Sequence, residues 1–368
     1  MEASFHAHGG DLDAIEAKYG ISKDEIVDFS GNVNPLGFPP ATAQALAQNI
    51  AIVSRYPDKK YRKLRASIAA YTGADMENVA VGNGSTELIS AFIAAIHPRH
   101  TIIMGPAYSE YENNVSLCGG AFEYFPLREK DDFRLDLPAL IHAVQPDTDM
   151  LILCNPNNPT GTAIPTAQLR KLLEHCRSTH TALMVDETYI EFADDPKAFC
   201  AIPLTNEFPE LFVIRGISKF YAAPGLRLGY GICSNPDFKE ELAQKQDPWS
   251  VNILAAFAGE RLFEEKEFMA RTRALILGER RRLLAELSGW KSIRVYPTAS
   301  NFILLRLLTD QVRADTLTED LIHKKMLIRD AASFTFLDES YLRFCIQLPE
   351  QNSALLRELA RHLGETFA

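Results

Sequence analysis

The 368-residue sequence lacks the marks of several classes of protein. Its six cysteines include no CxxC pair, and no cysteine–histidine cluster has the spacing of a zinc site. We therefore predict no metal site and free thiols, as in a reducing cytosol. The first residues, "MEASFHAHGG", lack the basic and apolar regions of a signal peptide. The longest apolar run, around "LISAFIAAI", is too short to span a membrane. A cytoplasmic protein is expected.

Positive charge is also scarce. The sequence has 38 Lys and Arg against 48 Asp and Glu, which gives a formal net charge of -10. A nucleic-acid surface requires a basic face to contact phosphates, so we predict no nucleic-acid partner. A small anionic ligand stays possible, because a pocket can be cationic inside an acidic protein. The share of hydrophobic residues, 46%, is typical of a globular protein.

Between about residues 78 and 229, apolar segments alternate with helical patterns. Strands are predicted for "NVAVGNG", "TIIMGP", "DMLILCNPNNPTG", "TALMVDETY" and "LFVIRGISK", and helices for "STELISAFIAAI" and "AQLRKLLEHCRS". Such alternation is typical of an α/β fold, a mainly parallel sheet with helices on both faces. After Pro248, a long helical stretch that is broken near Glu264 to Lys266 precedes patterns typical of a smaller α+β domain.

The motif "GNGST", residues 82–86, joins a predicted strand to a predicted helix. Its glycines let backbone N–H groups approach an anion, and Ser85 and Thr86 add hydroxyl donors. By itself the motif is equally consistent with a turn and a helix N-cap. It is not a dinucleotide fingerprint, because Glu87 stands where the third glycine would be, and no Walker A lysine follows.

Three later strand ends carry residues suited to chemistry. "CNPNNPTG" offers the amide of Asn158, and "VDETY" offers the carboxyl of Asp186 and the phenol of Tyr189. "RGISKFYAAPGLRLGY" offers Lys219, a possible nucleophile or base, and Arg227, a fork for phosphate. A turn, a helix cap or a solvated surface would explain each residue alone. They do not explain the joint occurrence on successive strand ends, where open α/β sheets bind ligands.

The motifs "GNGST", "PAY", "NNPTG", "DETY", "SKFYAAPGLRLGY" and "LRF" resemble those of fold-type I pyridoxal-phosphate enzymes of the aspartate aminotransferase superfamily. The resemblance spans nearly the whole chain. It implies pyridoxal 5'-phosphate as cofactor and a large domain with a mainly parallel seven-stranded sheet flanked by helices. The large domain would comprise residues 46–258, and residues 1–45 and 259–368 would form the smaller α+β domain.

The same resemblance implies roles for individual residues. Lys219 would bond covalently to the cofactor, Asp186 would pair with its pyridinium nitrogen, and Tyr108 would stack on its ring, which makes these three the catalytic residues. Asn158 and Tyr189 would hydrogen-bond its phenolic oxygen. Contacts to its phosphate would come from Gly84, Ser85, Thr86, Ser218 and Arg227.

Two further positions bear on the cofactor phosphate. Tyr56, in "SRYPD", would reach the phosphate of a neighbouring subunit, which implies a homodimer. Gly216 stands where many relatives carry Ser or Thr, so one hydroxyl contact would be missing.

A closer resemblance lies in "HGGD", "DFSGNVNPLG", "RYPD", "PWSVN" and "LIRD", which look like the threonine-phosphate decarboxylases of cobalamin biosynthesis. It implies decarboxylation of O-phospho-L-threonine to (R)-1-amino-2-propanol phosphate. His8, Asn32, Arg329 and Arg343 would bind the substrate's phosphate and carboxylate. Gly31 departs from the alanine that is common in relatives.

Two alternatives stay open. Histidinol-phosphate aminotransferases share most of the cofactor motifs, and the way the substrate's anionic ends are held decides between the two reactions. A pyridoxal-phosphate fold can also serve as a ligand-sensing module. Such sensors usually carry a DNA-binding domain, and the joint presence of Lys219, Asp186, Asn158 and Arg227 favours an enzyme.

Overall fold

A computed structural model describes residues 10–367 of the chain. The helices of this range are α1 (Leu12–Tyr19), α2 (Pro40–Gln48), α3 (Arg62–Thr72), α4 (Ser85–Ile96), α5 (Glu110–Leu117), α6 (Leu137–Ala143), α7 (Thr166–Thr179), α8 (Pro196–Phe199), α9 (Pro236–Lys245), α10 (Ile253–Leu262), α11 (Lys266–Leu287), α12 (Ala314–Ile322) and α13 (Pro349–Leu363). The strands are β1 (Val27–Asp28), β2 (Val79–Gly82), β3 (His100–Gly105), β4 (Ala121–Pro126), β5 (Met150–Cys154), β6 (Ala182–Asp186), β7 (Leu211–Gly216), β8 (Gly229–Ile232), β9 (Ile293–Val295), β10 (Phe302–Leu307), β11 (Met326–Leu327), β12 (Arg329–Asp330) and β13 (Tyr341–Cys345).

The large sheet has seven strands in the order β2-β8-β7-β6-β5-β3-β4. β8 is antiparallel to both of its neighbours, and the other pairs are parallel. Every residue of β5 and β7 is buried, because helices that cover both faces of a parallel sheet leave no solvated side. The predicted mainly parallel seven-stranded sheet is confirmed.

Helix patterns in the sequence match the structure closely. The apolar positions of α7 recur at helical spacing and are buried at Leu169, Leu172, Leu173 and Cys176, which anchors the helix on the sheet. The predicted helical stretch after Pro248 is two helices, and the chain breaks between Leu262 and Lys266 as expected.

Strands β4 and β8 were not predicted from the sequence. β4 lies at the edge of the sheet and is only partly buried, and its sequence "AFEYFP" has three aromatic residues that favour a strand and were overlooked. β8 has the sequence "GYGI", and glycine weakens the propensity signal of a strand. Pairing with neighbouring strands therefore makes β8 extended, whereas β4 also has local strand propensity.

A second sheet of four antiparallel strands has the order β12-β13-β10-β9. Nearby, β1 pairs in parallel with β11, which joins Val27 to Met326 and Asp28 to Leu327. The pairing brings the beginning of the described chain against its last third. The predicted α+β part is present, while the domain boundaries at residues 46 and 258 stay a prediction.

Some features are absent from residues 10–367. No helix in this range is long and apolar enough to cross a bilayer. No three His, Cys, Asp or Glu side chains of these residues come together as metal ligands would. All six cysteines fall in this range, and they are unpaired.

Candidate functional site

A cavity of about 450 Å³ lies where the large sheet meets the C-terminal strands. β5, β6 and β7 are parallel and end at this edge, while β12 and β13 supply arginines from the other side. Most of the predicted site residues line it, namely Asn32, Gly84, Ser85, Thr86, Tyr108, Asn158, Asp186, Tyr189, Ser218, Lys219, Arg227, Arg329 and Arg343. Their chemical roles stay predictions.

Two predicted site residues are not among those that line the cavity. Tyr56 is 79% exposed and packs on Trp249, with ring centroids 4.8 Å apart. Its predicted contact with a neighbouring subunit stays a prediction. His8 lies outside the described residues.

An anion cradle forms where α4 begins. Gly84 has φ +81°, and a Cβ there would lie 2.3 Å from Nη2 of Arg227. A Cβ at Gly229 would lie 2.4 Å from the backbone nitrogen of Ser85. The two glycines therefore let Arg227 and β8 approach the first turn of α4 closely. N–H groups of a helix N-terminus together with a guanidinium form a site suited to a phosphate.

The two departures from the family pattern differ in the space around their α-carbons. A Cβ at Gly31 would lie 2.7 Å from Oδ2 of Asp28, so an alanine there would require the Asp28 carboxylate to shift. A Cβ at Gly216 would meet only ordinary contacts, at 3.6 Å or more, and would lie 3.8 Å from Oγ of Ser85. Packing would therefore accept a serine at residue 216, and this chain lacks that hydroxyl beside the cradle.

Lys219 follows β7 and faces the cavity. Its Nζ donates a hydrogen bond to the carbonyl oxygen of Gly31 at 2.7 Å, and its own carbonyl accepts from the backbone N–H of Asn34 at 3.0 Å. Burial, reinforced by the charge of Arg343, lowers the pKa of Lys219 to about 8. At neutral pH a larger fraction of the Lys219 amine is therefore uncharged than in an ordinary lysine, as a nucleophilic or basic lysine requires.

Asp186 ends β6 and is 5% exposed. Its Oδ1 accepts from the backbone N–H and the hydroxyl of Thr188, at 2.9 and 2.6 Å, and its Oδ2 accepts from the hydroxyl of Tyr111 at 2.8 Å. Burial raises the pKa of the Asp186 carboxyl. A buried carboxyl that faces a cavity is suited to a ligand that brings a cationic group.

Tyr111 and Thr188 were missed by sequence reasoning, although both orient the Asp186 carboxyl. Tyr111 lies three residues after Tyr108, and the two rings meet edge to face with centroids 5.7 Å apart. That spacing on "PAYSEY" is the signal that could have indicated Tyr111. Burial raises the pKa of Tyr108, which keeps its phenol protonated.

Arg343 lies on β13 and is buried. It donates hydrogen bonds to Oδ1 of Asn158 and to the carbonyl oxygen of Ser30, the latter at 2.6 Å. Its Nε has no hydrogen-bond partner among the described residues. Both acceptors are neutral, so the guanidinium charge faces the cavity without being neutralised by them.

Asn32 contacts Tyr189 beside Arg343. Nδ2 of Asn32 donates to the hydroxyl oxygen of Tyr189 at 3.2 Å, which leaves the tyrosine proton for another acceptor. Oδ1 of Asn32 is buried and has no partner within residues 10–367. Asn32 is 1% exposed, and an unmet acceptor in so buried a residue points to a ligand or water in the cavity.

Arg329 lies on β12, on the same side as Arg343. Its Nη2 donates to Oγ of Ser333 at 2.8 Å. Burial, and next the charge of Arg343, lower the pKa of Arg329 to about 10. Ser333 and Phe334 also line the cavity and were missed, because they lie in the irregular segment between β12 and β13 that no motif marks.

The start of the described chain reaches the cavity wall. The backbone N–H of Gly10, in "HGGD", donates to Oγ of Ser30 at 2.9 Å, and Ser30 lines the cavity. Asp28 holds the same turn, since its Oδ1 accepts from the backbone N–H and the hydroxyl of Ser30 at 2.7 and 2.6 Å. Gly10 of "HGGD" and Ser30 of "SGNVNPLG" are therefore adjacent in space.

Comparison with known proteins identifies the family of this chain. The family model "Aminotransferase class I and II" matches residues 24–363. A threonine-phosphate decarboxylase of Salmonella typhimurium is 35% identical over 353 residues, which are 96% of this chain and 95% of that protein. A histidinol-phosphate aminotransferase of Methanosarcina mazei is 34% identical over 352 residues, which are 95% of this chain and 91% of that protein.

A comparison with solved structures agrees with the comparison of sequences. The crystal structure of the histidinol-phosphate aminotransferase from Clostridium acetobutylicum is 30% identical and superimposes with a TM-score of 0.85, over 91% of this chain and 98% of that one. The chain therefore belongs to the aminotransferase class I and II family, whose members are enzymes that depend on pyridoxal phosphate.

Proposed function

We propose that the protein decarboxylates O-phospho-L-threonine to (R)-1-amino-2-propanol phosphate and CO2. The contacts of Ser30 are the observation that favours decarboxylation over transamination. Gly10 of "HGGD" bonds to the side chain of Ser30, whose carbonyl oxygen accepts from the buried guanidinium of Arg343. Gly10 and Ser30, which belong to two of the segments that carry the decarboxylase resemblance, thus meet beside a cation that suits an anionic substrate.

The residues present fit pyridoxal 5'-phosphate. Gly84 and Gly229 leave a cradle that any Cβ would fill, and Arg227 lies against it, which suits the phosphate. Lys219 offers an amine for covalent attachment, and Asp186 would hold a proton at the ring nitrogen. When bound, the cofactor supplies an electron sink for the electrons left on the substrate's α-carbon.

The rest of the cavity would bind the substrate. Arg343 and Arg329 provide guanidinium groups for the carboxylate and the phosphate, with Asn32 beside them. The unmet Oδ1 of Asn32 and Nε of Arg343 offer one acceptor and one donor. Lys219, once displaced by the substrate amine, is the group placed to return a proton to the α-carbon, because its pKa of about 8 is close to neutral pH.

Transamination of a phosphorylated amine such as histidinol phosphate is the second candidate. It is favoured by the 34% identity to the Methanosarcina mazei aminotransferase, which is similar to the identity to the decarboxylase. Lys219 would then take a proton from the α-carbon instead of returning one. The residues assigned to the cofactor would be the same.

The test is CO2 release from O-phospho-L-threonine by the holoenzyme with no 2-oxo acid present. Repeated turnovers with the cofactor spectrum restored afterwards are the expected result. No CO2, together with loss of the visible absorbance that 2-oxoglutarate restores, would replace the proposal with transamination. L-threonine serves as the control substrate, because it lacks the phosphate that the site is proposed to bind.

Attachment of the cofactor should depend on pH as the Lys219 amine does. Only the neutral amine attacks, so the rate should rise about tenfold per pH unit below about pH 8 and level off above it. An ordinary lysine would level off only near pH 10.4. The measurement is stopped-flow absorbance after mixing cofactor-free protein with pyridoxal phosphate between about pH 6 and pH 10. A rate that still climbs tenfold per unit above about pH 9 would contradict the lowered pKa.

We also propose a homodimer, in which Tyr56 contacts the cofactor phosphate of the partner subunit. Ile50, Val53, Tyr56 and Trp249 are 54%, 56%, 79% and 41% exposed, and large apolar side chains clustered at a surface favour association. Tyr56→Phe should raise the dissociation constant of the cofactor by about two- to tenfold, as expected for one lost hydrogen bond. Sedimentation should give a dimer for both proteins. A fully active monomer would rule out the contact.

A further inference from the structure

One aromatic ring lies next to both substrate-facing arginines. The guanidinium carbon of Arg329 is 5.7 Å from the ring centroid of Phe334, and that of Arg343 is 5.8 Å from the same centroid. Phe334 is half-buried and packs against the main hydrophobic core. Its ring therefore has a supported position from which it contacts two cations.

The two guanidiniums repel each other. The charge of Arg343 contributes, after burial, to the lowered pKa of Arg329. Among the described residues Arg343 forms no ion pair, and its hydrogen-bond acceptors are a side-chain amide and a backbone carbonyl. The ring of Phe334 lies close to both cations. The negative face of an aromatic ring attracts a cation and leaves its charge available to a ligand.

Residues other than Phe334 also hold each arginine in place. Ser333, the residue before Phe334, accepts from Nη2 of Arg329 at 2.8 Å. Arg343 is held by Asn158 and Ser30, and its guanidinium carbon is also 5.4 Å from the ring centroid of Phe302. Phe334 is thus the shared contact between two separately anchored cations.

We infer that Phe334 is a positioning residue that sets the separation of the Arg329 and Arg343 guanidiniums, and so selects ligands that carry two anionic groups over ligands that carry one. The inference rests on the proposed function only because that function identifies the two-anion ligand as O-phospho-L-threonine. A ligand with two anions gains from both cations at their preset separation, whereas a ligand with one anion gains from one of them. Presetting the arginines also reduces the side-chain freedom that binding has to remove.

The test compares Phe334→Leu with the wild-type holoenzyme. Apparent dissociation constants come from the amplitude of the first change in cofactor absorbance after stopped-flow mixing, before turnover. The ligands are O-phospho-L-threonine, which has two anionic groups, and L-threonine and 1-amino-2-propanol phosphate, which have one each. Loss of two cation–ring contacts should weaken O-phospho-L-threonine about tenfold, and each single-anion ligand by no more than about threefold. An equal loss for all three ligands, no loss for any, or a wild-type protein without a preference for the two-anion ligand would overturn the inference.

Two further variants separate positioning from folding. Phe334→Tyr keeps the ring and should bind O-phospho-L-threonine within about twofold of wild type. Loss as large as that of Phe334→Leu would contradict the role of the ring. Phe336→Leu is the matched control in the same segment, since Phe336 is 51% exposed and packs on Tyr124. It should leave all three constants unchanged, and weakening of the two-anion ligand by this variant would count against Phe334.

The same measurements stay decisive if the proposed function fails. They record binding and not CO2, so a wild-type protein that releases no CO2 still reports its preference between ligands with two anions and one. In a decarboxylating enzyme, Phe334→Leu should raise KM for O-phospho-L-threonine about tenfold and change kcat by less than about threefold. A fall in kcat at unchanged KM would show that the ring acts elsewhere.

Discussion

Lys219→Ala should lower turnover by at least about 10⁴-fold while the protein stays folded, because the variant has no amine for covalent attachment of the cofactor. Borohydride reduction should fix the cofactor to the Lys219 peptide of the wild-type protein, with the mass increase read by mass spectrometry, and should fix none to that peptide in the variant. Lys171→Ala, at an exposed position of α7, is the matched control and should behave as wild type.

The effect of Lys219→Ala on stability has a definite sign. The folded-state pKa of Lys219, about 8, is below the value of an unfolded lysine, so below about pH 8 the folded protein holds a charge that burial disfavours. That cost fades as the pH rises from about 8 to about 10.4. Removing the amine should therefore leave the melting temperature at neutral pH unchanged or higher. Turnover within tenfold of wild type would refute the assignment of Lys219.

Asp186→Asn should lower kcat by about 10²- to 10³-fold, the usual effect of removing one preorganised electrostatic partner. The amide has the same shape as the carboxyl but cannot pair with a protonated ring nitrogen. It would also turn an NH₂ group toward Tyr111 or Thr188, both of which donate to Asp186. The measurements are kcat for CO2 release and the absorbance spectrum of the bound cofactor.

Tyr111→Phe is the graded control for Asp186→Asn. It removes one of three hydrogen bonds to the carboxyl and leaves the two from Thr188, so we expect a loss of about tenfold or less. If Asp186→Asn kept activity within tenfold of wild type, or lost less than Tyr111→Phe, then the carboxyl would not be the partner of the ring nitrogen.

The sequence predicted most of the large sheet and most of the cavity. Asn158, Asp186 and Lys219 each follow an apolar segment that reads as a strand, and parallel strands end at one edge of a sheet. Local pattern and topology were enough to bring these residues together. The same reasoning missed β4, although its aromatic residues favour a strand, and β8, whose two glycines weaken the strand pattern.

The supporting shell of the site was harder to predict. Tyr111 bonds to a carboxyl 75 positions away, and Ser30 bonds to a guanidinium 313 positions away. No periodicity in the sequence encodes such contacts. They depend on how the helices and strands pack, so residues without a motif, such as Ser333 and Phe334, became visible only in three dimensions.

The sequence by itself determined the fold class, the order of the chemical motifs and the family, because hydrophobic periodicity and the residues after each strand are local properties of the chain. Only the tertiary structure decided that Gly31 lies against the Asp28 carboxylate while Gly216 has room for a side chain, that Lys219 is buried near Arg343, and that one ring contacts two arginines. The physical reason is that space, burial and charge at a site are sums over neighbours, and most of those neighbours are distant in sequence.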